Sequence, residues 1–286
     1  MAMRFFSFIV GVCFIISCSD TDTTITTDDD VVILPEDPDV IMLPDTIVLP
    51  AVGASFDWQL DDVTSSNEFD ATVIDVDAFS TSSATVQHFK NQGKIVIAYL
   101  SVGSVENFRP DANQFPAAVI GNVYNGFEDE NWLDIRNIDA LAPILRARFD
   151  MIQAKGFDGI EPDNMNGYQN NTGFSLTQTD AIVFSRWLIN EAHARNLHIG
   201  QKNAEELVPN LVDEFDWILT EDAYADNFQV EALPYIIAGK AVFVTEYKDA
   251  MSQSQFLNTV CPDAAANQYS AIYKNRDLTD PVISCN

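Results

Sequence analysis

Eight short apolar runs, rich in β-branched and aromatic residues, alternate with amphipathic stretches along most of the chain. The runs are SFDWQL (55–60), ATVIDV (71–76), KIVIAYL (94–100), FDGIEP (157–162), HIGQK (198–202), WILTE (217–221), AVFVTE (241–246) and SAIYK (270–274). The stretches between them have apolar residues at helical spacing, and several end at glycine, as at Gly93 and Gly156. Eight strands alternating with helices predict an α/β fold of the (β/α)8 TIM-barrel type.

A doubly wound open sheet is the competing architecture for this pattern. That fold commonly carries a glycine-rich nucleotide fingerprint after a strand, and neither GxGxxG nor a P-loop follows any of the eight runs. Residues 51–286 have the length of a single barrel domain. We therefore expect one folded domain over 51–286, with no nucleotide or other cofactor.

The first residues are typical of an export signal. Residues 1–17 contain one basic residue, Arg4, followed by an apolar run that is short for a membrane span. The run ends in IISCSD, which resembles the lipobox of bacterial lipoproteins and implies a lipid on Cys18. A short membrane anchor, or ordinary cleavage nearby with a free Cys18, are the alternatives. The expected location is outside the cytoplasm, with the lipid in a bacterial membrane, at the outer membrane or the cell surface.

The next segment, 18–50, is expected to be an extended acidic linker. It is rich in Asp, Thr and Pro and has no Lys or Arg, so that like charges and prolines favour an open chain. Nine of the 43 acidic residues of the chain lie here, and the net charge of the whole chain is −28. Most of the excess negative charge therefore belongs to the folded part. This charge disfavours nucleic acid as a partner and is compatible with a cationic ligand, although solubility alone could also explain it.

The chain has four cysteines. Cys13 lies in the predicted signal and Cys18 at the predicted lipid site, which leaves Cys261 and Cys285 for the folded domain. In an oxidising compartment a disulfide between them is the expected state. The three histidines are dispersed and give no ligand spacing with the cysteines, so no metal site is expected.

Polar and aromatic side chains occur where the predicted strands end. In a (β/α)8 barrel these ends meet at one mouth, where active sites lie. Aromatic rings, carboxylates and amides at one mouth suit a sugar, whose apolar face stacks on rings and whose hydroxyls bond to polar groups. The residues expected to contact substrate are Trp58, Asp75, Asp77, Tyr99, Glu161, Asn164, Tyr168, Lys202, Asn203, Asp222, Tyr224, Glu246 and Tyr247.

Glycoside hydrolysis requires two carboxyl groups, one to protonate the leaving oxygen and one to attack the anomeric carbon or activate water. Asp163 and Glu221 are the candidates, because each ends a predicted strand among polar neighbours. Each of the two acids could instead have a purely structural role: Asp163 could cap a turn beside Asn164, and Glu221 could form an ion pair with Lys202.

Seven segments, in this order, resemble glycoside hydrolase family 114, the endo-α-1,4-polygalactosaminidase family. They are FDWQL, VIDVDAF, KIVIAYLSVGSVENFR, WLDIR, GFDGIEPDNMNGY, QKNA and WILTEDAY, and the resemblance covers roughly residues 53–276. It implies a (β/α)8 barrel with catalytic carboxylates at Asp163 and Glu221, the first as nucleophile of a retaining reaction and the second as acid/base. Asn166 departs from the family pattern, in which an acid is expected after the EPDN motif.

The resemblance also implies a substrate, a galactosamine polymer that is cationic where it lacks acetyl groups. An acidic mouth would attract it. Asp75, Asp77, Glu161, Asp222 and Glu246 are then candidates for holding amines or hydroxyls.

For the aromatic residues at the mouth, stacking on sugar rings competes with simple core packing. Two further functional hypotheses stay open: a surface module that binds a cationic polysaccharide without cutting it, and a glycosidase for another α-glycan. The oligomeric state is left open.

Overall fold

The computed structural model describes residues 47–285. The predicted signal sequence, Cys18 and nearly all of the acidic linker lie outside the described residues, so their assignments stay predictions. No helix in the described part is long and apolar enough to cross a membrane.

The strands of the described residues form two sheets, one of nine strands and one of three. In chain order they are β1 (Phe56–Trp58), β2 (Val73–Asp77), β3 (Ile95–Ser101), β4 (Ser104–Glu106), β5 (Ile120–Tyr124), β6 (Phe127–Leu133), β7 (Gly159–Asp163), β8 (His198–Lys202), β9 (Trp217–Glu221), β10 (Val242–Tyr247), β11 (Ser270–Lys274) and β12 (Ile283–Ser284).

The large sheet has the strand order β1-β2-β3-β7-β8-β9-β10-β11-β12, and its first eight strands pair in parallel. Each strand of this sheet thus lies beside the strand of the same sheet that follows it in the chain, which a doubly wound sheet would not show. Side-chain bonds join β11 to the β1 region: Lys274 Nζ lies 2.9 Å from Asp57 Oδ1, and Ser270 Oγ donates to the Ala54 carbonyl at 2.6 Å. The predicted (β/α)8 barrel is confirmed.

Helices follow most barrel strands and cover the outside of the sheet. They are α1 (Ser83–Asn91), α2 (Ile138–Lys155), α3 (Gln178–His193), α4 (Val208–Leu211), α5 (Leu233–Ile237), α6 (Gln253–Gln255) and α7 (Cys261–Asn267), with a π-helical turn at Phe256–Val260 between the last two. Helix α2 ends at Gly156, as the sequence pattern predicted, and this glycine is in the left-handed conformation. Asn137 and Thr177 cap α2 and α3 with their side chains.

Successive residues of each barrel strand point alternately outward to the helices and inward to the barrel axis. On β2, Ile74 and Val76 pack in the cluster under the helices, whereas Val73 belongs to the cluster inside the barrel. Trp217 and Phe243 also fill the interior, with their rings 5.7 Å apart. This alternation decides which strand-end side chains can reach the mouth.

Two features were not predicted as strands. Between β3 and α2, strands β4, β5 and β6 form a small antiparallel sheet outside the barrel, in the order β4-β6-β5. Strand β12 pairs antiparallel with β11. Near it, Cys285 forms a disulfide with Cys261 at the start of α7, the pairing expected from the cysteine count.

Candidate active site

An open cavity of about 710 Å³ lies at the carboxyl ends of the barrel strands. Five of its lining residues are the last residues of barrel strands, so that parallel strand ends bring them together. They are Trp58 of β1, Asp163 of β7, Lys202 of β8, Glu221 of β9 and Tyr247 of β10.

The two candidate catalytic carboxylates meet at one ammonium group. Lys202 Nζ lies 3.2 Å from Asp163 Oδ1 and 3.2 Å from Glu221 Oε2. The Lys202 side chain is only 2% exposed, whereas those of Asp163 and Glu221 are 19% and 27% exposed. The ion pair between Lys202 and Glu221, which was the structural alternative to a catalytic role, is therefore present. The same lysine also contacts Asp163, so that it joins both carboxylates at the floor of an open cavity.

Further donors fix each carboxylate. Tyr99 Oη donates to Asp163 Oδ2 at 3.0 Å, and Tyr247 Oη donates to Glu221 Oε1 at 2.5 Å. Asn203 donates to Glu221 Oε2 at 3.0 Å and accepts the Glu221 amide at 2.8 Å. Both carboxylates are thus held by side chains that are themselves largely buried, which restricts their rotamers.

The backbone after β7 is closely packed against the loop after β3. Gly103 and Val102 both donate their amides to the Asp163 carbonyl, at 3.2 and 3.1 Å. A Cβ at position 103 would lie 1.7 Å from the carbonyl oxygen of Asn164, so the close approach requires glycine. Asn164 itself has a φ of 65°.

Beneath the floor, Lys202 has a third carboxylate partner, Glu161 Oε1, at 2.6 Å. Its Nζ also lies 4.4 Å from the centre of the Trp58 ring. Three carboxylates and an aromatic face stabilise the charged amine, which offsets the burial that would otherwise favour the neutral form. The pKa of Lys202 is accordingly raised well above its ordinary value, against the effect of burial.

Asp75 lies beside Glu161 and has no exposed surface. Burial raises the pKa of Asp75 well above its ordinary value, and the charge of Glu161 raises it further. Burial also raises the pKa of Glu161 to about 7, in spite of Lys202. Neither oxygen of Asp75 has a hydrogen-bond donor among the described residues. A fully buried carboxyl group without a donor, beside a second carboxylate, favours the protonated form of Asp75.

Glu221 differs from these acids because its pKa is lowered. Burial acts to raise the pKa of Glu221, but the charge of Lys202 and the hydrogen bonds from Tyr247 and Asn203 outweigh burial. Glu221 is therefore ionised at neutral pH in the unliganded cavity.

Seven of the thirteen residues predicted to contact substrate line the cavity, together with Asp163 and Glu221. They are Trp58, Tyr99, Asn164, Lys202, Asn203, Asp222 and Tyr247. Two of these residues are charged and already form ion pairs within the protein. Lys202 contacts three carboxylates, and Asp222 forms an ion pair of 2.7 Å with Arg276.

The other six predicted substrate contacts do not line the cavity, and the position of each side chain explains why. Three of them lie in or beside the barrel wall. Asp75 and Glu161 lie below the floor, and Glu246 points outward because Tyr247, the next residue, points inward; Glu246 accepts the Tyr224 amide at 2.8 Å instead.

The remaining three are held by partners outside the cavity. Asp77 forms an ion pair of 2.6 Å with Arg109. The hydroxyl of Tyr168 donates to Glu206 at 3.0 Å, and that of Tyr224 donates to Asp263 at 2.8 Å.

Several cavity residues were missed by the sequence reasoning. Tyr124, Phe127 and Glu130 come from the β5–β6 hairpin, and Arg276 and Asp277 follow β11. The hairpin had a signal in the sequence, since Asn125-Gly126 is a typical two-residue hairpin turn and has an aromatic residue on each side, Tyr124 and Phe127. Asn166, the departure from the family pattern, also lines the cavity.

No group of three or more His, Cys, Asp or Glu side chains in residues 47–285 is arranged to hold a metal ion. The polar chemistry of the cavity therefore consists of carboxylates, amides, phenols and two cations, Lys202 and Arg276.

A (β/α)8 barrel whose mouth brings two carboxylates together has the arrangement that glycoside hydrolysis requires. The chain belongs to glycoside hydrolase family GH114, whose family model matches residues 42–286. The family membership expected from the seven sequence segments is thus confirmed.

Solved structures and a curated protein are similar to this chain. Ega3 of Aspergillus fumigatus, in a crystal structure with galactosamine, is 33% identical with a TM-score of 0.79, over 84% of this chain and 98% of that chain. The glycoside hydrolase domain of PelA from Pseudomonas aeruginosa shares the fold, with 15% identity and a TM-score of 0.62 over 80% of this chain and 98% of that chain.

An uncharacterised protein of Deinococcus radiodurans is 29% identical over 181 residues. The match spans 54% of this chain and 57% of the length of that relative.

Proposed function

We propose that this protein is an endo-acting glycosidase that cleaves α-1,4-linked galactosamine and N-acetylgalactosamine polymers with retention of configuration. The observation that carries the proposal is the pair of carboxylates, Asp163 and Glu221, joined through Lys202 on the floor of an open cavity. The galactosamine in the crystal structure of Ega3, which is 33% identical to this chain, supports the sugar.

The spacing of the carboxylates supports retention. Asp163 Oδ1 and Glu221 Oε2 each lie 3.2 Å from Lys202 Nζ, so these two oxygens can be no further apart than twice that distance. Retaining glycosidases hold their carboxyl groups about 5–5.5 Å apart, and inverting enzymes about 6.5–9.5 Å apart to admit a water. The limit applies to this pair of oxygens, and two carboxylates that share one ammonium group in this way are compatible with the retaining spacing.

In the proposed reaction Asp163 attacks the anomeric carbon as the bond to the leaving oxygen breaks, and Glu221 gives that oxygen its proton. A glycosyl ester on Asp163 results. Water then attacks the anomeric carbon and transfers a proton to Glu221, and the Asp163 carboxylate leaves. The two steps restore both carboxyl groups to their initial states.

Glu221 must be protonated when the first bond breaks, although its pKa is lowered in the free protein. A bound sugar excludes water from the cavity, and desolvation raises the pKa of a carboxyl group. The proposal therefore includes an increase of the Glu221 pKa when substrate binds.

The charge of the cavity supports a cationic polymer. Seven acidic and two basic side chains line it, and both bases, Lys202 and Arg276, are paired with carboxylates. Acids at the rim, including Glu205, Asp226 and Asp277, add to the negative field. Such a field attracts ammonium groups and speeds encounter with them, less so at high salt.

The size of the cavity supports endo action. Its volume of about 710 Å³ lies within the range of roughly 300–1,000 Å³ that is typical of ligand pockets, and the cavity is open to solvent, as binding within a long chain requires.

The deciding experiment incubates the purified protein with a partly deacetylated galactosamine polymer and measures released oligosaccharides. Asp163→Asn and Glu221→Gln should each abolish release while binding is retained. Asp150→Asn is a matched control, because its side chain is 63% exposed in a surface ion pair. Retained binding with no release by the unmodified protein would favour the binding module, and release only from another polymer would favour the other α-glycan.

Azide tests the two roles. Added azide should react with the glycosyl ester in the Glu221→Ala variant and give the α-glycosyl azide, whereas in Asp163→Ala it should attack the substrate directly and give the β-glycosyl azide. Exchange of these two products between the variants would reverse the assignment.

We also propose export and lipid anchoring through Cys18, on the strength of the IISCSD segment after the apolar leader. Expression with a labelled fatty acid should label the protein and place it in the membrane fraction. Cys18→Ser should remove the label, and labelling that persists would contradict the assignment.

A further inference from the structure

The three-stranded sheet outside the barrel supplies one wall of the cavity. Its hairpin joins β5 to β6 through Asn125 and Gly126, with Tyr124 paired to Phe127. Tyr124 and Phe127 line the cavity, as does Glu130 further along β6. This wall is distinct from the strand ends that carry Asp163 and Glu221.

The aromatic rings of the hairpin differ in their exposure to solvent, from a buried ring to a largely exposed one. The Tyr124 ring lies 4.3 Å from the ring of Trp132, which is 2% exposed, so a buried ring supports it. Phe127 lies 5.1 Å from Tyr124 and is 56% exposed. A phenylalanine exposed at the side of a cavity leaves apolar surface in water, which the apolar face of a sugar ring could cover.

Glu130 is 9% exposed, and one of its carboxylate oxygens is already bound. Oε2 accepts from Ser104 Oγ at 2.6 Å and from Asn164 Nδ2 at 3.4 Å. No hydrogen bond within residues 47–285 reaches Oε1, although the residue lines the cavity. Because Asn164 follows Asp163 in the chain, Glu130 is linked through one side chain to the segment of the proposed nucleophile.

We propose that Tyr124, Phe127 and Glu130 form a subsite that holds a galactosamine unit with a free amine, next to the sugar at Asp163. The inference rests on the proposed function, and it adds which residues read the acetylation state. The two rings contact the apolar face of the sugar, and Oε1 of Glu130 accepts a hydrogen bond from its ammonium group.

An N-acetylated unit has no positive charge to offer at this position. Its amide can donate one neutral hydrogen bond, which is about half as strong as a charge-assisted one. Burial raises the pKa of Glu130 to about 7, so a nearby ammonium would stabilise the ionised form. The subsite should therefore favour deacetylated segments of a mixed polymer.

The test compares cleavage of two polymers that differ only in acetylation. Glu130→Gln should lower kcat/KM on the deacetylated polymer about 10- to 100-fold, the loss of one charge-assisted hydrogen bond, and change it little on the fully acetylated one. Glu128→Gln is the matched control, since Glu128 lies on the same strand and is exposed outside the cavity lining.

Phe127→Ala should raise KM on both polymers, because stacking does not depend on the amine. Phe108→Ala is its control, since Phe108 is 64% exposed and does not line the cavity.

Binding of a galactosamine oligosaccharide is measured calorimetrically with the same variants, so that the subsite is tested even without turnover. Weaker binding by Glu130→Gln with unchanged binding of the acetylated oligosaccharide supports the subsite. An unchanged ratio between the two ligands, in binding or in cleavage, overturns it. Absence of cleavage by the unmodified protein, with this binding difference present, contradicts the proposed function and leaves the subsite standing.

Discussion

Lys202 and Glu161 form an ion pair of 2.6 Å below the floor of the cavity, and the same lysine contacts Asp163 and Glu221 at 3.2 Å each. One buried cation therefore sets the positions of both proposed catalytic carboxylates. Without it, three acids would face one another across a short distance, and their repulsion would raise their pKa values and separate their side chains.

Replacement of Lys202 by Met should lower both stability and activity. Breaking a buried ion pair leaves uncompensated charge on Glu161, and the free energy of unfolding should fall by about 3–5 kcal/mol. Denaturant unfolding measures this loss. Addition of Glu161→Gln should recover part of the stability without recovering kcat. Lys248→Met, in an exposed pair with Asp280, is the control and should have almost no effect.

The pH dependence of the reaction should show an ionised Glu221 in the free protein. An acid catalyst acts only while it is protonated. Because the pKa of Glu221 is lowered, Glu221 in the free protein loses its proton at a lower pH than an ordinary glutamic acid does. As pH rises, kcat/KM should fall first, and kcat, which reports the complex, should fall at higher pH. Coincident limbs would contradict the proposed rise of this pKa on binding.

Tyr247→Phe should move the fall of kcat/KM to higher pH. The hydroxyl of Tyr247 donates to Glu221 and helps to lower its pKa, whereas the ring, which is 2% exposed, packs equally well without the hydroxyl. The pH profile of this variant distinguishes an electrostatic role from a packing role, since loss of packing alone would leave the limb in place.

Much of the barrel, and the positions of the two proposed catalytic carboxylates, could be predicted from the sequence, because both depend on local patterns. Each predicted run became a parallel strand, three with the predicted bounds and five with ends shifted by one or two residues, and Asp163 and Glu221 lie where β7 and β9 end. The alternation of side chains was available too, and it would have separated the inward Tyr247 from the outward Glu246.

Other parts of the site depend on contacts between distant segments. The β4–β6 insertion contacts the segment after β7 through Asn164, which donates to Ser104 at 3.0 Å and to Glu130 at 3.4 Å, and no local pattern predicts these contacts. The ion pair of Arg276 with Asp222, a predicted substrate contact, likewise joins residues far apart in sequence.

Gly103→Ala should damage the site from outside the cavity. The added Cβ would meet the carbonyl oxygen of Asn164, a backbone atom that cannot move without shifting Asp163. Overpacking of this kind costs about 1–3 kcal/mol of stability, and kcat should fall by more than stability alone explains. Gly167→Ala, whose Cβ would first meet a side-chain carbon of Leu176 at 3.2 Å, should have a smaller effect on kcat.

Removal of the disulfide should lower stability and spare activity. Cys261 and Cys285 close a loop with a sequence separation of 24, and neither residue lines the cavity. The double Ser variant should lose about 3 kcal/mol of unfolding free energy, because the unfolded chain gains conformational freedom. Equal unfolding curves for the two forms, or a large loss of kcat, would contradict this.

The stereochemistry of the first product tests the central claim most directly. Proton NMR of the newly formed reducing end, recorded before mutarotation, identifies the anomer that wild-type protein releases from an α-1,4-linked galactosamine polymer. Two carboxylates this close together on opposite sides of one bond predict the α anomer. The β anomer as first product would contradict the account, because it would require water to attack in place of Asp163.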